Sequence, residues 1–416
     1  MTATATGAGR PATPSAQLRK RAPIEEWAAM AVVFSLAIRA FVWLDIPIGY
    51  VVAAVLLPVT ARHLLRHRWA TLIALLCVLA ALSGLLITEL RPTGVAVSTT
   101  LQISQTARVL GIALLLAALL WARSLLGLQR TMLSFGLGAL ASIALVGVNA
   151  DNAFKFSFSV PVTIIALSLP WIWRHRMRQL ACLGALSLVA VLSDARSLTA
   201  VLVIAAALTI FQQRPPHDQR APRKAWRAIG RIGTIALAGY FTVQGAILEG
   251  MLGTAAQDRT EMQIERSGNA IVGGRPEMGA AIELISARPL GYGTGALVTY
   301  DERRLGKEGM WSIGYDPDNG YVDNYMFGNG FEVHSVLGDL WLQYGLMGAA
   351  LAVALLLAVL HGTGHGMAEA AIPSIALFLG LRFAWDFALS PLPSAMLYLP
   401  LTLAVLLPLR ERQPDR

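Results

Sequence analysis

The sequence carries little charge for its length, which excludes an ordinary soluble protein. Only 14% of the 416 residues are Asp, Glu, Lys or Arg, whereas soluble domains carry about a quarter. Hydrophobic residues make up 55% of the chain, and the mean hydropathy is +0.57. The composition therefore predicts a protein that faces lipid over much of its surface.

Cysteine and sequence repeats are also scarce. The two cysteines, Cys77 and Cys182, both lie in apolar segments, so neither a disulfide framework nor a cysteine-based metal site is expected. No internal repeat or inverted repeat is visible, which weighs against a transporter.

The net charge of +9 could suggest a nucleic-acid partner, but the basic residues form short runs between apolar stretches. That pattern is typical of membrane orientation signals, and we expect no nucleic acid to bind. Residues 1–24 are polar and rich in Pro, Ala and Thr, and they end in a basic run. We interpret them as a disordered cytoplasmic tail and expect no cleavable signal peptide.

A membrane-spanning helix needs about 20 apolar residues, and the sequence contains twelve candidate segments. The candidates are 25–43, 46–60, 69–88, 108–122, 131–149, 157–173, 179–193, 197–211, 229–248, 335–360, 371–388 and 392–409. Six alternate connections hold 21 of the 34 Lys and Arg residues, and basic connections stay in the cytoplasm. We therefore predict an all-α, polytopic membrane protein with about twelve transmembrane helices and both termini inside.

This orientation divides the chain into five parts. A tail at 1–24 precedes nine spans within 25–248, and three more spans within 334–409 precede a second tail at 410–416. Between the two groups, residues 249–333 form one long external loop, with 7 basic and 13 acidic residues. A loop of this length in a compact protein is usually functional.

The long loop contains one clear helical pattern. Apolar residues recur at helical spacing over Glu277–Ala287, and Pro289 and Gly291 follow as stop signals. We expect further short helices elsewhere in the loop.

Three basic residues on the predicted external side could carry chemistry. Arg196, in a tight turn between two spans, is either an interfacial cation paired with Asp194 or a phosphate ligand. Arg275 follows two glycines and precedes a helix, so it is either a surface residue in a turn or a second anion ligand. His334 begins the tenth span, where a helix N-terminus favours a neutral imidazole that can accept a proton.

These residues lie in motifs that resemble those of bacterial O-antigen ligases. The stretch from His334 to Gly348, HSVLGDLWLQYGLMG, is similar to their signature of His-Ser/Asn, nine residues and Gly-x-x-Gly. The stretch from Gly274 to Gly295, GRPEMGAAIELISARPLGYGTG, resembles their external-loop motif. Arg196 occupies the place of an arginine at an external turn, although Ala195 stands where the family has Ser.

The resemblance implies an inverting glycosyltransferase of the bacterial inner membrane, active on the periplasmic side in lipopolysaccharide biosynthesis. Arg196 and Arg275 would hold the pyrophosphate of an undecaprenyl-pyrophosphate-linked glycan donor. His334 would remove the proton from the acceptor hydroxyl, which belongs to lipid A–core or another glycan. No metal ion and no other cofactor is expected.

Two alternatives remain open at the level of sequence. An O-antigen or exopolysaccharide polymerase would use the same donor but another lipid-linked repeat as acceptor. A lipid or solute transporter would place ionisable residues in mid-membrane on broken helices, whereas most candidate spans here contain none.

Weaker candidates surround these residues. Arg382, one turn from Asp386, forms either an internal ion pair or part of a phosphate pocket. Lys155 either meets a phosphate or extends its amine to the membrane surface. A calcium loop at 316–320 and a metal site at 361–369 have some of the required residue types, but a sugar contact or turn and a solvated helix end are favoured.

Overall fold

The computed structural model describes residues 23–91, 96–212, 221–250, 253–268, 273–327, 330–369 and 372–408, and these are mainly α-helical with almost no sheet, as predicted. The predicted tails, apart from residues 23 and 24, lie outside the described residues, as does part of the basic connection after Gln212. The helices are α1 (Pro23–Leu36), α2 (Ile48–Leu64), α3 (Arg68–Glu89), α4 (Thr99–Val146), α5 (Ser159–Ser168), α6 (Pro170–Trp173), α7 (Arg176–Leu192), α8 (Arg196–Phe211), α9 (Ala221–Leu248), α10 (Thr254–Ser267), α11 (Glu277–Ala287), α12 (Tyr300–Ser312), α13 (Val336–Ala368), α14 (Ser374–Leu389), α15 (Leu392–Ala395) and α16 (Leu399–Leu406). Two π-helical turns occupy Phe154–Phe158 and Val322–Met326.

Three helices of the described chain, α3, α4 and α13, are long and apolar enough to cross a membrane. Four shorter apolar helices accompany them, at Ile48–Leu64, Phe154–Ser168, Arg196–Phe211 and Gly233–Leu248. These features are those of a membrane protein. The number of twelve spans stays a prediction.

Helix α4 joins two of the predicted spans, 108–122 and 131–149. It is 48 residues long, but Gly127 interrupts it with a left-handed φ of 73°. A straight helix of this length would extend about 72 Å, more than twice the roughly 30 Å of the hydrocarbon core. The break at Gly127 therefore divides α4 into two parts of membrane-compatible length.

The predicted span 25–43 is wrong after Leu36. Helix α1 ends at Leu36, and Phe41–Trp43 (β1) pairs antiparallel with Ile46–Pro47 (β2). Leu44 and Asp45, between the strands, have φ values of 45° and 58°. Two consecutive residues with positive φ form the turn that suits a tight hairpin, and short runs of apolar residues do not reveal such a turn.

Two other predicted spans are interrupted by proline. In 157–173, Leu169 is extended because it precedes Pro170, and this separates α5 from α6. In 392–409, the chain forms α15 and α16, with Pro393 and Pro400 near their first residues. Proline suits the start of a helix but not its interior.

The connections between helices contact one another in two groups, and the distribution of Lys and Arg predicts which connection belongs to which group. At one end, Arg123 donates to the carbonyl oxygen of Ala404 at 2.6 Å, and the His67 ring lies 2.8 Å from the carbonyl oxygen of Pro408. At the other end, the Thr88 hydroxyl donates to Thr294 O at 2.7 Å, and Ser98 N donates to Gly295 O at 2.8 Å. Cytoplasmic candidates thus contact one another, and so do external candidates.

The long segment 249–333 packs as a folded unit on that second end. Helix α11 has the predicted bounds, Glu277–Ala287, and α10 and α12 are the further short helices expected. A separate hydrophobic cluster holds the segment together. Its members are Ala280, Ala281, Leu284, Tyr292, Ala296, Met310, Val322, Met326, Phe327, Phe331, Val333 and Leu342.

The side of the membrane on which this unit lies can be measured directly. A reporter enzyme that works only outside the cytoplasm should be active when fused after Tyr300 and inactive when fused after Arg220. The reason is that basic connections, such as the one around Arg220, are retained inside. The opposite pattern would move the long segment to the cytoplasm and refute a periplasmic site.

Candidate functional site

A cavity of about 270 Å³ lies where the long segment meets the ends of α8, α9 and α14, and we call it the arginine cavity. It brings together Arg196, Arg275 and Lys155, three residues that the sequence suggests as phosphate ligands. The complete lining is Lys155, Asp194, Arg196, Ser197, Ala200, Tyr240, Gln244, Ile247, Thr260, Gln263, Gly274, Arg275 and Trp385. Cations outnumber carboxylates in this lining by three to one, so the cavity suits an anionic group.

Arg196 is the first residue of α8 rather than part of the turn before it. The turn is made by Asp194, whose φ is 49°, and by Ala195. The guanidinium donates to Thr260 Oγ1 at 2.9 Å, which fixes Arg196 against α10. Because Thr260 is buried, the guanidinium is held in a defined position, as a ligand-binding arginine requires.

Arg275 immediately precedes the turn that starts α11. Pro276, with φ of −62° and ψ of −20°, is the N-cap residue of that helix. Gly273 lies against the carbonyl oxygen of Gln263 in α10, where a Cβ atom would clash. The two glycines before Arg275 predict a close backbone approach, and the structure contains it at Gly273, which holds Arg275 beside the helix that also contacts Arg196.

His334 lies two residues before α13 rather than at its first residue. The helix starts at Val336, and the Ser335 hydroxyl caps it by accepting from Gly338 N at 3.1 Å. His334 itself has a φ of 50°, a left-handed conformation that is unusual for a residue other than glycine. Among the described residues, no group forms a hydrogen bond with its buried Nδ1 atom.

The loop that carries His334 is fixed on both sides. Asp339, which is fully buried, accepts from Val333 N and from Leu392 N, each at 2.8 Å. Ser335 Oγ also donates to Phe387 O at 3.1 Å. These bonds tie the residues next to His334 to α13 and α14, so the surrounding structure maintains its unusual backbone conformation.

His334 is not among the described residues that line the arginine cavity, and its contact with Tyr321 leads to Glu277, which lies two residues after Arg275. The rings of Tyr321 and His334 are 6.3 Å apart between centroids, and the Tyr321 hydroxyl donates to Glu277 Oε1. Burial and the nearby Glu277 carboxylate raise the pKa of Tyr321 above its usual value, while Arg275 opposes this shift. The phenol therefore stays protonated and keeps its hydrogen bond at neutral pH.

Sequence reasoning did not assign a site role to Glu277. In the sequence Glu277 is only the start of a helix, whereas Tyr321, next to the turn at 316–320, is either a sugar contact or part of a plain turn. Glu277 is 4% exposed, and its Oε2 atom has no hydrogen-bond partner among the described residues. A carboxylate at the first position of an amphipathic helix carries no sequence signal that distinguishes this environment from a solvated one.

The two secondary candidates differ in position. Lys155 lines the arginine cavity, and its amine lies 4.9 Å from the centroid of the Phe156 ring. Arg382 does not line it but lies 3.3 Å from the carboxylate of Asp386, which also accepts from Tyr398. Of the two interpretations of Arg382, the structure contains the internal ion pair.

The spacing of Gly345 and Gly348 in the Gly-x-x-Gly motif predicts close helix packing, but the structure gives the motif a different role. Gly345, with φ of 63° and ψ of −148°, breaks α13. A Cβ atom on Gly345 would clash with Leu290 O, and one on Gly348 would clash with Leu340 O across the break. The motif thus allows α13 to bend under the Pro-Leu-Gly turn of the long segment.

The acidic and histidine clusters form local contacts instead of a ligand shell. Asp316 accepts from Asp318 N at 3.0 Å within a turn, and Asp318 pairs with Lys307 at 3.0 Å. His365 pairs with Glu369 at 3.1 Å at the end of α13. Over the part of the chain that the structure describes, no group of three or more His, Cys, Asp or Glu could hold a metal ion.

Comparison of the chain with protein families, with curated proteins and with solved structures found no match. The resemblance to O-antigen ligases therefore rests on the sequence motifs around Arg196, Arg275 and His334.

Proposed function

We propose that this protein is an O-antigen ligase-like glycosyltransferase of the bacterial inner membrane. It would move a glycan from undecaprenyl pyrophosphate to an acceptor hydroxyl, such as that of lipid A–core, on the periplasmic face. The observation that carries this proposal is the meeting of Arg196, Arg275 and Lys155 around one cavity, although they come from three distant parts of the chain.

In this proposal the arginine cavity binds the pyrophosphate of the donor. A guanidinium presents a planar fork of donors that matches phosphate oxygens, and it keeps its charge at every physiological pH. Arg196 and Arg275 would stabilise the negative charge that grows on the pyrophosphate as it leaves. Lys155 would add a third positive charge, and no metal ion would be needed for this step.

His334 would act as the general base. The acceptor oxygen attacks the anomeric carbon of the donor sugar as the bond from that carbon to the pyrophosphate oxygen breaks. The hydroxyl proton passes to His334, and the bonding electrons leave with the pyrophosphate, so the anomeric configuration inverts. The contact from His334 through Tyr321 to Glu277, two residues after Arg275, supports this role because it brings the base near the segment that carries Arg275.

A polymerase would use the same residues and differ only in its acceptor, so the geometry favours neither acceptor. A transporter is the rival of another class. The break at Gly345 and the buried Arg382–Asp386 pair are features that a transporter could use. The cations of the arginine cavity lie instead at helix ends and in the long segment, which favours chemistry at the membrane surface.

Deletion of the gene in its own host would separate these three functions. We expect lipid A–core without its distal glycan, together with accumulated undecaprenyl-pyrophosphate-linked glycan in the periplasmic leaflet. Short glycans still attached to lipid A–core would instead indicate a polymerase. Accumulation of the linked glycan in the cytoplasmic leaflet would indicate a transporter and refute the proposal.

A further inference from the structure

A second and larger cavity, of about 460 Å³, lies beside the β1–β2 hairpin, and we call it the hairpin cavity. Its lining includes Arg39 before the hairpin, Asp45 in the turn, Arg108 in α4 and Glu332 in the long segment. The hairpin, the start of α4 and the long segment all belong to the predicted external side. The hairpin cavity therefore lies on the same predicted side as the arginine cavity.

Two positive charges of the hairpin cavity have no opposite charge bound to them. Among the described residues, neither the Arg39 nor the Arg108 guanidinium forms an ion pair or a side-chain hydrogen bond. Arg108 is also partly buried, next to the apolar interior of α4. Asp45 and Glu332 also line the cavity, but among the described residues neither forms an ion pair with Arg39 or Arg108. Because a partly buried cation is costly unless an anion accompanies it, the two arginines favour a ligand with an anionic group.

The rest of the lining favours an amphiphilic ligand. Leu115, Phe135 and Leu397 give the cavity an apolar part. Beside it, the side chains of Phe41 and Trp43 are 56% and 66% exposed on the hairpin. Exposed aromatic residues are typical of the membrane–water interface, so a lipid in the outer half of the bilayer could enter the cavity directly.

The position of Glu332 connects this cavity to the proposed base. Glu332 lines the hairpin cavity, and only Val333 separates it from His334. Two residues span at most about 7 Å of chain. His334 therefore lies close, along the chain, to a residue that lines the hairpin cavity.

We infer that the hairpin cavity binds the acceptor, and that this acceptor is a phosphorylated glycolipid from the periplasmic leaflet. The inference rests on the proposed function, because it assigns the second substrate of the same reaction. Arg39 and Arg108 would bind phosphate, and Asp45 and Glu332 would accept hydrogen bonds from sugar hydroxyls. The acyl chains would extend over the apolar part towards the exposed hairpin.

Binding measured apart from transfer tests this inference. Protein in nanodiscs is titrated with lipid A–core, with the same lipid after enzymatic removal of its phosphates, and with undecaprenyl pyrophosphate carrying one glycan repeat. Arg108→Gln should weaken binding of phosphorylated lipid A–core by about tenfold or more, the loss of a hydrogen bond to a charged group. The double variant with Arg39→Gln should weaken it further, and removal of the phosphates should have a similar effect on the wild type.

The matched control is Arg130→Gln, because Arg130 is exposed and pairs with Glu26 at the predicted cytoplasmic end. It should bind every probe as the wild type does. If only the lipid-linked repeat depends on Arg108, the cavity still binds a phosphorylated glycolipid acceptor, but the enzyme is a polymerase. If removal of the phosphates and Arg108→Gln both leave binding unchanged, or if no probe binds, the inference is overturned. Normal binding without any transfer by the wild type would refute the proposed function and leave a glycolipid site.

Discussion

Replacement of His334 by alanine is expected to reduce glycan transfer by about 10² to 10⁴, the usual contribution of a general base. Binding of the undecaprenyl-pyrophosphate donor should remain close to normal, because Arg196 and Arg275 hold the pyrophosphate in this account. The measurement compares transfer and donor binding in the same purified preparation. Loss of both together would instead make His334 a ligand of the donor.

Two further variants separate the base role from a structural one. His334→Asn keeps a residue type that tolerates positive φ, so it should fold as the wild type does and still lose transfer. His365→Ala changes a histidine at the far end of α13, the helix that follows His334, and its partner Glu369 is exposed. It should transfer glycan normally, and wild-type transfer by His334→Asn would refute the base role.

Replacement of Arg275 by lysine should lower donor affinity and transfer by about tenfold or more, although the charge is unchanged. An ammonium group is a point donor and cannot form the two parallel hydrogen bonds that a guanidinium forms with a pyrophosphate. A hydrogen bond to a charged group contributes about 1.5–3 kcal/mol, which corresponds to about ten- to a hundredfold in affinity. Binding of the donor to the purified variant measures the loss.

Arg304→Lys is the matched control for this change. Arg304 belongs to the same long segment, but it is exposed and pairs with Glu308 one helical turn away. An exposed pair of this kind contributes little to stability, so the variant should bind donor normally. Equal binding by Arg275→Lys and wild type would mean that Arg275 is not a bidentate pyrophosphate ligand.

The parts of the fold that follow from local rules were predictable from sequence. Helix Glu277–Ala287 has both its predicted ends, because an apolar face and a following proline are short-range signals. The grouping of loops at two ends was also predicted, because the distribution of Lys and Arg reports it directly. The position of Arg196, in contrast, depends on its contact with Thr260, and the sequence alone could not assign it.

The parts that depend on long-range contacts were not predictable. The bond between Tyr321 and Glu277 joins residues from different elements, and no spacing rule connects them. The hairpin at 41–47 replaced the end of a predicted span because its turn depends on two positive φ values in residues other than glycine. The sequence predicts helix packing rather than a break at Gly345, because either role needs a glycine.

The most direct test of this account is transfer by the purified wild-type protein in liposomes, with undecaprenyl-pyrophosphate-linked glycan and lipid A–core as the only substrates and with chelator in excess. The account predicts one undecaprenyl pyrophosphate released for each glycan joined to lipid A–core, with the anomeric configuration inverted. Retention of configuration, dependence on an added divalent cation, or movement of the lipid-linked glycan across the bilayer without a new glycosidic bond would contradict it.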